Sequence, residues 1–118
     1  MQKGENMTKF IGFKRKNGNF TNKDTGEVVT YDNYDLYFIT GNVPDIIGYY
    51  PSEYRVKGNV IRQVLGIEAK SGDDFIFDIL YDMLNKEVML SVLSVDEKPV
   101  VTGLMVIPSP SVDTKNSK

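Results

Sequence analysis

The segment VVTYDNYDLYFIT, residues 28–40, is the clearest β-strand in this chain of 118 residues. It consists largely of β-branched and aromatic residues, which favour strands. Alternation places apolar and aromatic side chains on both faces, with Tyr34, Leu36 and Phe38 on one and Tyr31, Tyr37 and Ile39 on the other. The segment therefore predicts a fold that is built on β-structure.

The segments on either side of this strand add two more predicted strands. Upstream, Thr8–Lys16 alternates as a half-buried strand does, and turn residues follow it at 17–19 and again at 23–26. Downstream, Gly41–Pro51 is a predicted loop. Tyr54–Leu65 is predicted as a strand, because its β-branched residues and an interior glycine disfavour the helix that its apolar spacing would also fit.

The second half of the chain predicts one helix and one hairpin. Asp73–Lys86 carries a wide apolar stripe at helical spacing, with Ser71 placed to cap its start and acidic residues in its first turn. Val88–Val95 and Val100–Ile107 are predicted strands, and a turn at 96–99 joins them into a hairpin.

The predicted order is β-β-β-α-β-β, so the predicted fold class is mainly β with one helix. A helix between the third and fourth of five strands is the arrangement of a small OB-like barrel, although other small barrels share this order. Residues 8–108 then form a single OB-like domain, residues 1–7 a disordered N-terminal tail and residues 109–118 a flexible C-terminal tail.

The composition argues against several classes of function. Hydrophobic residues make up 41% of the chain and charged residues 25%, which is typical of a globular domain. Cysteine and histidine are both absent, which removes disulfides, thiolate ligands and the commonest general base. We therefore expect a protein that is not an enzyme and holds no metal or cofactor.

Two further absences concern location. No apolar run approaches the roughly 20 residues of a membrane span, and no charged-then-apolar secretory leader opens the sequence. We therefore expect a cytoplasmic protein with no membrane partner.

The net charge of −2 conceals an uneven distribution. Residues 1–62 hold nine Lys/Arg against seven Asp/Glu, whereas residues 63–118 hold five against nine. Ten of the 13 aromatic residues lie at or before Tyr54. The first half is thus basic and aromatic, and it is the half that resembles a binding surface.

Basic and aromatic residues are interleaved across this first half. Cations follow the phosphates of single-stranded nucleic acid while its bases stack on aromatic rings. In an OB barrel the second and third strands and the adjoining loops form the binding face. The candidate nucleic-acid-binding residues are Lys14, Arg15, Lys16, Lys23, Tyr31, Tyr34, Tyr37, Tyr54, Arg55 and Lys57.

Two other sets of residues are better explained by structure than by binding. The phenylalanines of the predicted strands are expected in the core, because most Phe residues in a small domain are buried; they are Phe10, Phe13 and Phe38. Three aspartates at helical spacing are expected on the solvent side of the helix, because Mg²⁺ and Ca²⁺ sites need convergent loop oxygens; they are Asp74, Asp78 and Asp82.

The sequence also resembles a known family in two places. Gly18–Gly26, with sequence GNFTNKDTG, leads into the aromatic strand Tyr31–Phe38, and Gly103–Pro108 has the sequence GLMVIP. Both are similar to the helix-destabilising, single-strand-binding proteins of filamentous phages and their relatives on Gram-positive conjugative plasmids. The resemblance implies an OB barrel that coats single-stranded DNA during replication or transfer. The phage proteins are shorter and lack the helix predicted at 73–86.

Three functions follow as hypotheses. The first is non-enzymatic binding of single-stranded nucleic acid, DNA before RNA, with low sequence specificity, in phage or plasmid replication or transfer. The second is a plasmid- or phage-encoded regulator that recognises a particular RNA or DNA on a PUA-like or other small barrel. The third is a protein-interaction or assembly module, which includes a homo-oligomer, because tyrosine is also enriched at protein interfaces.

Overall fold

The computed structural model describes residues 7–108, and these form one antiparallel sheet with two helices. The strands are β1 (Met7–Thr21), β2 (Val28–Gly41), β3 (Tyr50–Lys57), β4 (Lys86–Val95) and β5 (Lys98–Val106). The helices, α1 (Ile61–Leu65) and α2 (Asp73–Met83), both lie between β3 and β4. The prediction of a mainly β fold is confirmed, with one short helix more than expected. Met7 belongs to β1, and the rest of both predicted tails lies outside the described residues.

The strand order is β3-β2-β1-β4-β5, with β3 and β5 at the two ends. β4 meets β1 at only two residue pairs, Lys9 with Glu87 and Phe10 with Lys86. β3 and β5 lie beside each other, yet no backbone pairing joins them within residues 7–108. The sheet is therefore open, and the closure that a barrel requires is not observed in this part of the chain.

The β1–β2 hairpin is longer than predicted. β1 continues to Thr21, so the turn predicted at 17–19 is wrong, whereas the second predicted turn, at 23–26, is correct. There the Asp24 backbone N–H donates to Asn22 Oδ1 at 2.8 Å. β3 covers β2 only from Asn33 onward. Beyond that point residues 17–21 and 28–32 form a two-stranded extension, which we call the ribbon.

The predicted strand Tyr54–Leu65 is correct only up to Lys57. Gly58 ends the strand: its N–H donates to the Asp32 carbonyl at 2.7 Å, and the chain then turns into α1. Ile61 and Val64 are buried on one side of this helix, in agreement with the helical spacing that the apolar residues of this segment also fit. The β-branched residues misled the prediction because burial overrides their modest preference for strands.

The boundaries of α2 also differ from the prediction. Gly72, not Ser71, is the N-cap, and no side chain caps this end; Asp73 and Asp74 lie in the first turn as expected. The helix ends at Met83 because Asn85 adopts a left-handed conformation with φ 65°. Asn85 then donates its N–H to the Phe10 carbonyl at 2.7 Å, which directs the chain into β4.

The core lies between the inner face of β1–β3 and the helices, with β4 and β5 contributing side chains. Phe10 and Phe38 are fully buried and their rings are 5.5 Å apart, as predicted for core residues. Phe13 is half-buried and packs edge-on against Phe77 and Tyr81 of α2. None of the helices described is long and apolar enough to span a membrane.

The predicted β4–β5 hairpin is confirmed, with a turn of two residues. Asp96 and Glu97 both have positive φ, 52° and 66°, as a type I′ turn requires.

The positive φ of Glu97 costs a residue with a Cβ roughly 1–2 kcal/mol. We expect Glu97→Gly to raise the free energy of unfolding by about 0.5–1 kcal/mol, measured by urea denaturation, because relief of this strain exceeds the entropy cost of glycine. An unchanged or lower value would contradict the turn geometry.

Candidate nucleic-acid interface

Nine of the ten candidate residues divide between the two faces of β1–β3, and the tenth, Lys23, lies in the turn between β1 and β2. Strand register places Lys14, Asp35 and Arg55 in one cross-strand row, and Lys16, Asn33 and Lys57 in the next. These side chains point away from the core, because alternate residues of the same strands, such as Leu36 and Phe38, are buried. We call this surface the outer face; Lys14, Lys16, Tyr31, Tyr37, Arg55 and Lys57 of the predicted site lie on it.

Two tyrosines on the outer face lie over glycines of the neighbouring strand. Tyr31 is 41% exposed, and its ring atoms cover Gly18, where an added Cβ would be 2.9 Å from the hydroxyl oxygen. Tyr37 covers Gly12 in the same way at 3.7 Å. Lys14 and Lys16 lie between these two glycines on β1. Both rings are thereby supported by the backbone beside the lysines.

Phe20 extends this surface further along the ribbon beyond Tyr31, although it was not among the predicted site residues. It has the same strand parity as Lys16 and Gly18, it is 54% exposed, and its ring centroid is 6.4 Å from that of Tyr31. Phe20 is separated from Lys14 and Lys16 by an even number of strand residues, and this spacing could have identified it as a residue of the same face. Lys23 is exposed in the turn at the end of the ribbon.

Four of the predicted cations are available to a ligand. Lys14, Lys16, Lys23 and Lys57 are exposed, and within residues 7–108 none of them takes part in an ion pair. Because these lysines are exposed and not neutralised by a carboxylate, their charge is accessible to phosphate.

Arg55 lies on the outer face but already has a partner. Its Nε donates to Asp35 Oδ1 at 2.9 Å, and the Asp35 carboxylate is almost completely buried. The hydrogen bond from Arg55 holds the pKa of Asp35 below its ordinary value of 3.8, against the opposing effect of burial. Arg55 therefore neutralises a buried charge first and is a weaker phosphate ligand than the prediction assumed.

This pair gives a pH-dependent prediction. Because the pKa of Asp35 is lowered in the folded state, the pair stabilises the fold above about pH 4 and this contribution is lost as the pH falls through the folded pKa. We expect Arg55→Ala to destabilise the protein at pH 7 and the difference from wild type to shrink below pH 4. Urea unfolding across pH 2–7 measures this. Lys57→Ala is the control whose effect should not vary there, because Lys57 lies on the same face and makes no ion pair within residues 7–108.

Arg15 is on the inner face, so its prediction as a phosphate contact is corrected. Its Nε and one terminal nitrogen donate to the two oxygens of Asp32 at 2.9 and 3.0 Å. The other terminal nitrogen donates to Asp73 at 2.9 Å, and Arg62 donates to the same carboxylate at 3.2 Å. The pair with Asp32 raises the pKa of Arg15. We call these four residues the clasp, because they join β1, β2, α1 and α2.

Tyr34 and Tyr54 also lie on the inner face, which corrects their prediction as stacking residues. Tyr34 is 1% exposed, its hydroxyl makes no hydrogen bond in the described structure, and the Arg15 guanidinium lies 5.5 Å from its ring centroid. Burial raises the pKa of its hydroxyl. Tyr54 is half-buried and packs against Phe38 at 6.0 Å. Both tyrosines are part of the packing beneath the outer face.

The aspartates of α2 form its solvent-facing side, as predicted: Asp74, Asp78 and Asp82 are all exposed. No three potential metal ligands converge among residues 7–108. Comparison of the chain with protein-family models, with curated proteins and with solved structures gives no match. The outer face itself is therefore the feature from which a function can be inferred.

Proposed function

We propose that this protein is a non-enzymatic, cytoplasmic binder of single-stranded nucleic acid, DNA before RNA, with low overall sequence specificity. The observation that carries the proposal is the outer face, where exposed lysines that make no ion pair within residues 7–108 lie between tyrosines that cover glycines. Lys14, Lys16 and Lys57 contact phosphates, and Tyr31, Tyr37 and Phe20 stack with bases. Each stacked base contributes about 1–3 kcal/mol in sites of this kind.

The strand order supports the proposal that the domain is OB-like. In that fold a helix between β3 and β4 accompanies a sheet whose end strands meet, and the second and third strands carry the ligand. The observed order β3-β2-β1-β4-β5, with β3 beside β5, is compatible with such a barrel. A role in coating single strands during phage or plasmid replication or transfer is the context that the sequence resemblance suggests.

Fluorescence anisotropy with a labelled deoxythymidine oligonucleotide tests the proposal. Binding should weaken as salt rises, with a slope of log affinity against log salt of about −0.7 for each phosphate contact. No binding at about 10 μM protein in low salt would overturn it, because even non-specific binders reach that range. Competition with unrelated sequences separates it from the regulator hypothesis: a coating protein loses little affinity, whereas a regulator on a PUA-like barrel discriminates strongly.

The β4–β5 hairpin favours self-association as a second property. On one face of the hairpin the side chains are apolar and between 40% and 59% exposed; they are Met89, Leu93, Val95, Val100 and Met105. Ser91 and Gly103 complete this face. Monomeric proteins seldom expose apolar patches beyond a few hundred Å². The charged residue on this face is Lys98, which pairs with Val95 at the end beside the turn. Because the rest of the face is uncharged, a second copy of the same face is its best complement.

We expect the protein to be a homodimer that dissociates when this face is charged. Leu93→Glu should convert the dimer to a monomer in size-exclusion chromatography with light scattering, because the interface would bury unpaired carboxylates. Ser94→Glu is the matched control, since Ser94 is the exposed neighbour on the opposite face of the hairpin. A wild-type monomer, or equal effects of both variants, would contradict a dimer through this face.

A further inference from the structure

A groove of about 740 Å³ runs along the edge of the ribbon that β3 leaves uncovered, between β2 and the turn that leads from β3 into α1. The clasp residues Arg15, Asp32, Arg62 and Asp73 line it. The remaining lining side chains are polar or aromatic: Thr30, Tyr31, Asn33, Lys57 and Asn59. Tyr31, Asn33 and Lys57 also belong to the outer face, so the groove is continuous with the proposed binding surface.

The charges of the clasp are fully compensated. Asp32 accepts two hydrogen bonds from Arg15, and Asp73 accepts one each from Arg15 and Arg62. Arg62 also donates to the carbonyls of Ser71 at 2.6 Å and Gly58 at 3.2 Å. With two guanidinium and two carboxylate groups paired in this way, the clasp attracts neither phosphate nor metal ions. It presents a neutral, polar wall.

The groove also contains hydrogen-bonding groups that are not paired within residues 7–108. The amides of Asn33 and Asn59 and the hydroxyl of Thr30 have no partner in the part of the chain that the structure describes. Within residues 7–108 the backbone of Thr30 also has no partner on the β3 side. Because the Asp32 carbonyl accepts from Gly58 on the β3 side, the N–H and C=O of Thr30 face that side too, where β3 has ended.

We propose that this groove takes up one unstacked nucleobase and reads its edge by hydrogen bonds. A carboxamide and a peptide each present one donor beside one acceptor, which is the pattern that nucleobase edges pair with. Lys16 and Lys57 flank Asn33 in one cross-strand row, so they hold the phosphates while the base turns over the edge beside Tyr31. This inference rests on the proposed binding of single strands and adds base selectivity to it.

Adenine is the base that we expect the groove to prefer. Asparagine pairs in a bidentate manner with the N6 donor and N7 acceptor of adenine, and the neutral clasp suits a neutral base. The selectivity belongs to one position of the bound strand, whereas contacts along the rest of the outer face are the same for every sequence.

The test compares a deoxythymidine oligonucleotide of about 12 residues, within the site size of such modules, with versions in which one central base is adenine, cytosine or guanine. A single replacement avoids the self-stacking of a purine tract. We expect the adenine version to bind at least about fivefold more tightly, and Asn59→Ala to abolish this ratio while changing affinity for the all-thymidine strand little. Asn33→Ala should reduce the ratio as well. Asn19→Ala, an exposed ribbon asparagine that does not line the groove, is the matched control and should leave the ratio unchanged.

The outcomes separate the inference from the proposal beneath it. If all four oligonucleotides bind equally, or if Asn59→Ala and Asn19→Ala have the same effect, base reading in this groove is overturned while binding to the outer face stands. If no oligonucleotide binds, both are overturned. If the edge of β2 instead pairs with a peptide strand, the adenine and all-thymidine oligonucleotides should bind with equal affinity, and base reading is likewise overturned.

Discussion

Replacement of the three outer-face lysines, in the variant Lys14→Ala/Lys16→Ala/Lys57→Ala, is expected to weaken binding to a deoxythymidine oligonucleotide by about 100-fold at about 0.1 M salt. Each phosphate contact to a single strand contributes about 0.7 to the slope of log affinity against log salt, so each is worth roughly fivefold at this concentration. Loss of all three contacts should also make the salt slope shallower by about 2.

The change in slope is the decisive part of this experiment. Lys70→Ala/Lys86→Ala/Lys98→Ala removes the same charge from exposed positions away from the outer face. It therefore tests whether net charge alone explains the loss. If both triple variants lose equal affinity, the lysines act through the overall field of the protein and the outer face is not the contact surface. Anisotropy titrations at several salt concentrations, with unfolding curves to show that the variants are folded, supply the measurement.

Side chains alternate between the two faces of a strand, and this rule, applied to the sequence, explains why two of the predicted site residues lie on the inner face. Lys14, Arg15 and Lys16 are consecutive, so in a strand the middle residue must face the opposite way from its neighbours. Arg15 accordingly reaches the inner face and enters the clasp. In the same way, Tyr34 shares its face with Leu36 and Phe38, and its burial follows from theirs. Residue type suggested the binding face; strand parity decides which residues belong to it.

Other features depend on contacts between distant parts of the chain. The register that aligns Lys16 with Asn33 and Lys57 is set by a long hairpin whose first turn signal, at 17–19, is overridden by continued pairing. The salt bridge of Arg15 with Asp73 joins residues that are 58 positions apart. Neither local composition nor spacing contains this information, because it arises only when α2 packs against the sheet.

The clasp also determines which residue the chain tolerates at position 58. A Cβ on Gly58 would overlap Oδ2 of Asp32 and lie 2.7 Å from its Cγ. That carboxylate cannot move aside cheaply, because two hydrogen bonds from Arg15 hold it. We expect Gly58→Ala to lower the free energy of unfolding by about 2–3 kcal/mol, through overpacking and a broken charged hydrogen bond. Gly12→Ala is the control: its Cβ would meet Tyr37 at an ordinary 3.7 Å, so stability should hold or rise slightly.

A double-mutant cycle identifies the collision as the cause. In an Asp32→Ala background the carboxylate is gone and only a Cβ at 3.2 Å remains near the new methyl group, so Gly58→Ala should cost less than about 1 kcal/mol there. The two substitutions are therefore expected to be strongly non-additive in urea unfolding. An equally small cost of Gly58→Ala in both backgrounds would mean that the Arg15–Asp32 pair yields freely. The wall of the ribbon groove would then not be rigid, because the same pair forms it.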